Sequence, residues 1–226
     1  MLTKDEIKKR VAVAALDYVQ PGMTIGIGTG TTAWWLVEAL GENVKNGFAC
    51  VCVPTSKETA AHAKSLGIRL KELNEVDAID ITIDGADEID ASLNLIKGGG
   101  GALLQEKMVA AASEKYCIIA GADKKTATLG GFPLPVEVIP FGWKQVKHQL
   151  EREWKVDVQV RGGTTPFITD HGHYIIDCHF KSIPDPASLN SQLHLIPGVV
   201  ETGMFVQMAD IVLLAHSDGK VEVLRS

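Results

Sequence analysis

The stretch MTIGIGTGTTAWWLVEALG, Met23–Gly41, decides the fold. Its first part, Met23 to Gly28, is short and apolar and reads as a buried strand. GTGTT, Gly28–Thr32, follows as a turn, and AWWLVEAL continues as a helix ended near Gly41. A buried strand, a tight turn and a helix in that order open a βαβ unit. Its crossover is right-handed, and its sheet is mostly parallel.

The same alternation runs outward on both sides. Thr3-Lys4-Asp5-Glu6 has the form of a capping box, a hydroxyl followed three residues later by a carboxylate. It opens a helix with a stripe at Ile7, Val11, Ala14, Ala15 and Tyr18, stopped by Pro21-Gly22. Downstream, strands are expected at Phe48–Val53, Ile68–Leu70, Ala78–Ile83 and Tyr116–Ala120. A second capping box, Thr55-Ser56-Lys57-Glu58, starts a helix that stops at Gly67, and another helix is expected over Ala102–Ser113.

After Lys125 the pattern changes. LGGFPLPVEVIP, Leu129–Pro140, holds three prolines and reads as a boundary. A helix near Gly142–Glu153 and strands near Val156–Val160, Tyr174–Cys178 and Val199–Val206 follow, with a short helix capped by Asp185 and begun by Pro186. Ile211–Ala215 and Val221–Leu224 flank Ser217-Asp218-Gly219-Lys220, a hairpin signal. The expected fold class is α/β: a Rossmann-like open, mostly parallel sheet flanked by helices, with a smaller α+β domain. The first is placed at residues 1–130 plus 207–226, the second at 131–206.

A chain of 226 residues, 46% hydrophobic, can bury a substantial core. A net charge of −6 argues against nucleic-acid or anionic-membrane partners, so an anionic ligand would be held by local lysines and helix ends. The four cysteines, Cys50, Cys52, Cys117 and Cys178, form no CxxC pair and read as buried thiols of a reducing compartment. The first nineteen residues carry no secretory pattern and no apolar run of membrane-spanning length, so a cytoplasmic location is expected.

Three polar clusters lie just after a predicted strand or just before a predicted helix. In an open parallel sheet such places meet outside the carboxyl ends of the strands, where ligands bind. GTGTT offers backbone N–H groups and hydroxyls at a helix start, which suits a phosphate. It is neither a Walker A loop nor a full GxGxxG, and a plain strand-to-helix turn is the alternative reading. DGADEID, Asp84–Asp90, has four carboxylates in seven residues. It reads either as a solvated or metal loop, though not an EF-hand, or as a strand end where Asp84 and Asp87 face sugar hydroxyls. KGGGGALLQEK, Lys97–Lys107, pairs a cation with Glu106 across four glycines. Four glycines in a row carry an entropic cost that makes sense where the backbone must pass close to a ligand. A glutamate desolvated in such a place becomes a usable base.

Together GTGTT, DGADEID, KGGGGALLQEK, ADKK and FPLPVEVIP, in this order and spacing, resemble the type A ribose-5-phosphate isomerase family over nearly the whole chain. The resemblance implies interconversion of ribose 5-phosphate and ribulose 5-phosphate without metal or other cofactor, a sugar phosphate as partner, a homodimer, and a ferredoxin-like smaller domain. It assigns Thr29, Gly30, Thr31 and Thr32 to the phosphate end, with Lys8 on the first helix reaching the same group. It places Asp84, Gly85, Ala86 and Asp87, and Lys97, Gly98, Gly99 and Gly100, around the sugar. Glu106 falls on the proton acceptor and Lys124 on a substrate-binding lysine. Thr31 stands where members often have serine, which preserves a hydroxyl. Gly101 stands where alanine is common, and Leu104-Gln105 where Thr-Arg can occur, changes that touch packing around the base.

Two other classes fit the residues less well. A coenzyme A transferase also uses a glutamate beside glycine-rich loops, but the chain is short for one and carries a compact GTGTT loop. A sugar-phosphate sensor would need a partner or DNA-binding module, and no basic helix-turn-helix is present. Asp170-His171-Gly172-His173 reads as a polar turn, Trp34 and Trp35 as packing or interface residues, and Lys144, Lys147, Glu151 and Arg152 as a solvated helix face.

Overall fold

The computed structural model describes residues 2–226. In chain order its elements are α1 (Lys4–Ala15), β1 (Thr24–Ile27), α2 (Thr31–Lys45), β2 (Val51–Pro54), α3 (Lys57–Ser65) and β3 (Ile81–Asp84). Then come β4 (Glu88–Ile89), β5 (Leu95–Ile96), α4 (Leu103–Ala111), β6 (Tyr116–Gly121), β7 (Leu134–Val138), α5 (Trp143–Trp154) and β8 (Asp157–Val160). The chain closes with β9 (Tyr174–His179), α6 (Pro186–His194), β10 (Val199–Thr202), β11 (Met204–Phe205), β12 (Ile211–Ala215) and β13 (Val221–Arg225). These elements fall into two units. One holds the chain up to Ala86 with Gln105–Lys124 and Met208–Ser226; the other holds Asp87–Leu104 and Lys125–Gln207.

The first unit is built on a six-stranded sheet ordered β13-β12-β6-β3-β1-β2. All neighbours pair in parallel except β12 and β13, which form the antiparallel hairpin at the chain end. Ile25, Ile27, Ile81, Ile83, Cys117, Ile119 and Leu213 form one apolar face, covered by Val11, Ala12 and Ala15 of α1 and Leu36, Val37 and Leu40 of α2. Gly26 faces the other way. A Cβ there would lie 1.8 Å from Thr82 Oγ1 and 2.9 Å from Val109 Cγ1, so only glycine lets α4 lie against this part of β1. Within the order, β2 lies on one side of β1 and β3 on the other. The order of the strands reverses at that point, between β1 and β3, which is the switch point at which open α/β sheets take their ligands.

The second unit carries a four-stranded antiparallel sheet ordered β10-β7-β9-β8 and a three-stranded ribbon ordered β11-β5-β4. The succession β7-α5-β8-β9-α6-β10 is the βαββαβ pattern of ferredoxin-like folds. Its core gathers Val136, Val138, Ile176 and Cys178 from the sheet with Val146 and Leu150 of α5 and Leu189 and Leu193 of α6. Both the mostly parallel sheet and the small α+β fold match the fold class expected from the sequence.

Local signals are realised unevenly. Thr3 caps α1 in a full capping box, and Asp185 caps α6, with Pro186 as its first residue. The second box is displaced by one residue: Ser56, not Thr55, caps α3, its hydroxyl accepting from Thr59 N. Thr55 is instead drawn to the end of β1, donating from both N and Oγ1 to Ile27 O. The strand expected at Ile68–Leu70 reduces to a single bridge between Leu70 and Cys52. The strand expected over Val199–Val206 is cut in two at Gly203, where a Cβ would lie 2.2 Å from Lys97 O.

Candidate active site

The GTGTT loop and Asp84 meet at the carboxyl ends of β1 and β3. Gly28 N donates to Ile83 O at 2.9 Å, extending the strand pairing by one residue. Asp84 is wholly buried at the end of β3, and its Oδ1 accepts from Thr29 N at 3.1 Å and Gly85 N at 2.7 Å. Gly28 packs directly on that carboxylate: a Cβ would lie 2.1 Å from Asp84 Oδ1 and 2.6 Å from its Cα. The backbone then turns at Gly30, whose φ of +106° suits glycine, and α2 begins at Thr31. This start offers orphan backbone donors to an anion.

Both polar groups of Thr29 are engaged within the protein. Its N–H is held by Asp84, and its hydroxyl sits among Thr55, Ser56 and Thr59 at 2.7, 2.9 and 3.2 Å. The donors run in a chain from Thr29 Oγ1 to Ser56 Oγ to Thr59 Oγ1 to the carbonyl of Gly28, back to the loop where it began. Such a relay stiffens the turn, since each bond polarises the next. Sequence reasoning missed these three hydroxyls because it took Thr55-Ser56 as a helix cap alone. The usable signal was their place at the end of β2, one strand over from GTGTT.

Lys8 and the phosphate-type loop line one cleft of about 600 Å³, with Gly30, Thr31, Thr59, Trp34 and His62 on its walls. Lys8 Nζ lies 3.3 Å from Asp5 Oδ1, an i,i+3 pair of a half-buried lysine with an exposed carboxylate, which holds it only weakly. Trp34 is partly exposed and stacks on His62 at 5.0 Å, while Trp35 packs against the core. Glu106 lies in the first turn of α4 and is 4% exposed. Its neighbour Gln105 donates to Pro54 O at 2.9 Å, tying the start of α4 to the end of β2. Lys124 sits half-buried in the single turn, Ala122–Lys124, that follows β6. Gly85 and Ala86 complete the first unit's share of the predicted residues.

Asp87 and Lys97–Gly100 lie in the second unit. Lys97 is 2% exposed; its N–H donates to Gly203 O at 2.8 Å, and its ammonium lies 5.5 Å from the ring centre of Phe205. Asp87 Oδ2 accepts from Gly99 N at 2.8 Å, and a Cβ on Gly99 would strike that carboxylate at 2.8 Å. Gly98 and Gly101 both take positive φ, +96° and +85°. Glu88 holds the backbone of the proline-rich boundary, accepting from Gly130 N and Phe132 N. Arg161 and Asp177, which no sequence signal marked, fasten the glycine loop from its other side. In Asp170-His171-Gly172-His173 the chain makes a turn, and His173 Nδ1 lies 2.9 Å from the buried Glu137 Oε1.

An open parallel sheet with a phosphate-type loop at its switch point, and the buried carboxylate of Asp84 held against it, defines a class of enzymes acting on small phosphorylated metabolites. The family model described as Ribose 5-phosphate isomerase A (phosphoriboisomerase A) matches residues 51–219. Ribose-5-phosphate isomerase A of Rhodopseudomonas palustris strain TIE-1 is 50% identical over 225 residues, covering 96% of this chain and 97% of the relative. That of Ruegeria sp. strain TM1040 is 49% identical, covering 97% and 87%. Among solved structures, a D-ribose-5-phosphate isomerase in complex with phospho-erythronic acid superposes with a TM-score of 0.96 at 38% identity over the whole of both chains. The ribose 5-phosphate isomerase of Plasmodium falciparum gives 0.94 at 40% identity, covering 98% and 99%. The chain belongs to the ribose-5-phosphate isomerase A family and is an isomerase.

Proposed function

We propose that this chain interconverts D-ribose 5-phosphate and D-ribulose 5-phosphate through an enediolate, with Glu106 as the base. Aldose and ketose differ by one proton moved between C2 and C1 and by the hydroxyl protons that follow it. One carboxylate suffices to take the proton from C2 and return it to C1. The observation that carries the reading is the burial of Glu106, an ionisable group withdrawn from water in the first turn of α4, five residues after the last glycine of the loop.

The other predicted residues take roles that follow from their settings. The start of α2, with Gly30, Thr31 and Thr32, receives the phosphate, and Lys8 adds a charge from α1. Thr29 shapes that turn, since both its N–H and its hydroxyl are committed to the protein. Lys97 and N–H groups of the glycine loop stabilise the oxyanion as it develops, with no reorganisation at the moment of reaction. Asp84 and Asp87 move hydroxyl protons and assist opening of the sugar ring, while Lys124 holds the substrate. Covalent continuity supports one substrate for all of these groups: Asp84 and Asp87 are three residues apart, and Lys97–Gly101 runs straight into α4 and Glu106. The test is conversion of ribose 5-phosphate by purified protein in the presence of a chelator. Turnover is expected, and its absence from folded protein would overturn the reading.

A further inference from the structure

Arg161 follows β8, and its backbone is held on both sides, N donating to Ile175 O at 2.8 Å and O accepting from Phe167 N at 2.8 Å. Its guanidinium makes a two-pronged pair with Asp177 on β9, Nε to Oδ2 at 3.0 Å and Nη2 to Oδ1 at 2.6 Å. This fork fixes the plane of the group. Nη1 donates instead to two carbonyls of the glycine loop, Gly98 O at 2.8 Å and Gly99 O at 3.2 Å. The side chains of Arg161 and Asp177 are mostly shielded, 18% and 19% exposed, so the pair is only partly weakened by solvent.

A planar trans peptide points its carbonyl and the next N–H in opposite directions. Holding Gly98 O therefore turns Gly99 N–H away from Arg161, and it is found on Asp87 Oδ2 at 2.8 Å. Holding Gly99 O turns Gly100 N–H away from Arg161 by the same rule. A glycine loop has no side chains to fix its peptide planes, so their setting rests on Arg161 together with the bonds of Gly99 N to Asp87 and of Gly101 N to Gly98 O at 3.0 Å. A flipped plane would present a carbonyl dipole where an enediolate needs a donor.

We propose that Arg161, set by Asp177, is a positioning residue for the isomerisation. It holds the two peptide planes that follow Gly98 and Gly99 so that Gly100 N–H, and not a carbonyl, faces the developing oxyanion, Gly99 N–H being taken by Asp87 and Gly101 N–H by Gly98 O. This inference rests on the function proposed above. Removing one donor from an oxyanion site typically lowers kcat by ~10²–10³-fold. Loosening one without removing it should cost less, so Arg161→Gln is expected to lower kcat by ~10–100-fold with KM within about 3-fold. Lysine lacks the planar fork, so Arg161→Lys should fall nearly as far despite keeping the charge. Asp177→Asn should lie between, and the double variant should be no worse than Arg161→Gln.

The experiment combines steady-state kinetics on ribose 5-phosphate with peptide-resolved hydrogen exchange over residues 97–101 of the same full-length proteins. Faster exchange in that loop, and a loss confined to kcat, are the expected results. Unchanged loop exchange, or an Arg161→Lys variant as active as the parent, would overturn the role of Arg161. A parent protein that fails to turn over ribose 5-phosphate, with loop exchange still accelerated in Arg161→Gln, would overturn the functional reading and leave the loop clamp standing without this purpose.

Discussion

Replacing Gly28 by alanine tests the claim that the site is built by direct contact between the ends of β1 and β3. The added methyl would lie 2.1 Å from Asp84 Oδ1, 2.4 Å from Cγ and 2.6 Å from Cα. Carbon atoms pack at about 3.5–4.0 Å, so the shortfall against Cα is about 1 Å. The carboxylate can rotate away, but Cα belongs to a strand paired residue for residue with β1 through Ile27 and Ile83. Overpacking of this kind costs about 1–3 kcal/mol. Displacing Asp84 also breaks its bond to Thr29 N, a charged hydrogen bond worth about 1.5–3 kcal/mol. The sum, about 2.5–6 kcal/mol, is a large part of the ~5–15 kcal/mol that keeps a domain folded. Gly47→Ala is the control: Gly47 has φ of +94° and nothing within 4 Å of an added Cβ, so its cost is backbone strain alone, about 1–2 kcal/mol. Urea unfolding with hydrogen exchange over β1 and β3 reads both variants. Gly28→Ala no more destabilised than Gly47→Ala would refute the contact argument.

Two further predictions concern titrating groups. The Cys50 thiol is held below its ordinary value by the hydrogen bond it shares with Cys52 at 3.9 Å, while the same bond and burial push Cys52 up. Burial raises Cys117 to about 12, and burial with the Asp177 charge raises Cys178. Folded protein at mildly alkaline pH should therefore react with a thiol reagent at Cys50 first, and equal reactivity of Cys117 would contradict this order. Glu6 is lowered from 4.5 by hydrogen bonds from Thr3 N and Thr3 Oγ1. A depressed folded value means that the capping box stabilises α1 above the ordinary carboxylate range and loses that contribution as pH falls through the folded value. In Thr3→Ala the Glu6 titration, followed by NMR, should move up toward 4.5 but not reach it, since Thr3 N–H is retained as a backbone donor; no movement would remove the hydroxyl from the cap.

The parallel sheet was legible because buried strands such as Tyr116–Gly121 and Ile211–Ala215 carry no polar alternation and the elements around them are punctuated by glycine and helix caps. Strand ends and the polar residues on them follow from that reading, which is why the sequence alone places Gly28–Thr32 and Asp84 at the carboxyl ends of strands, while the switch point needed the strand order. Short strands were not legible. β4, β5 and β11 are two residues each, too few for a period to register, and they owe their form to partners such as the Lys97 N–Gly203 O bond. Gly203 marks a break in the Val199–Val206 run for a reason visible only in space, the carbonyl of Lys97 packed against its Cα. Thr55, Ser56, Thr59, Arg161 and Asp177 escaped for the same cause. Each acts on a loop that is near in the fold and far along the chain, from 26 residues for Thr29 and Thr55 to 63 for Gly98 and Arg161.

The central claim is that Glu106 moves the proton between C2 and C1. The direct measurement is the rate of ribose 5-phosphate conversion by the parent and by Glu106→Gln, both shown to be folded by circular dichroism. The amide keeps the shape of the side chain and removes its basicity. A loss of at least ~10²-fold in kcat, the low end of general-base effects, is the result predicted. Turnover by Glu106→Gln close to that of the parent would contradict the account and send the search for the base to Asp84 or Asp87.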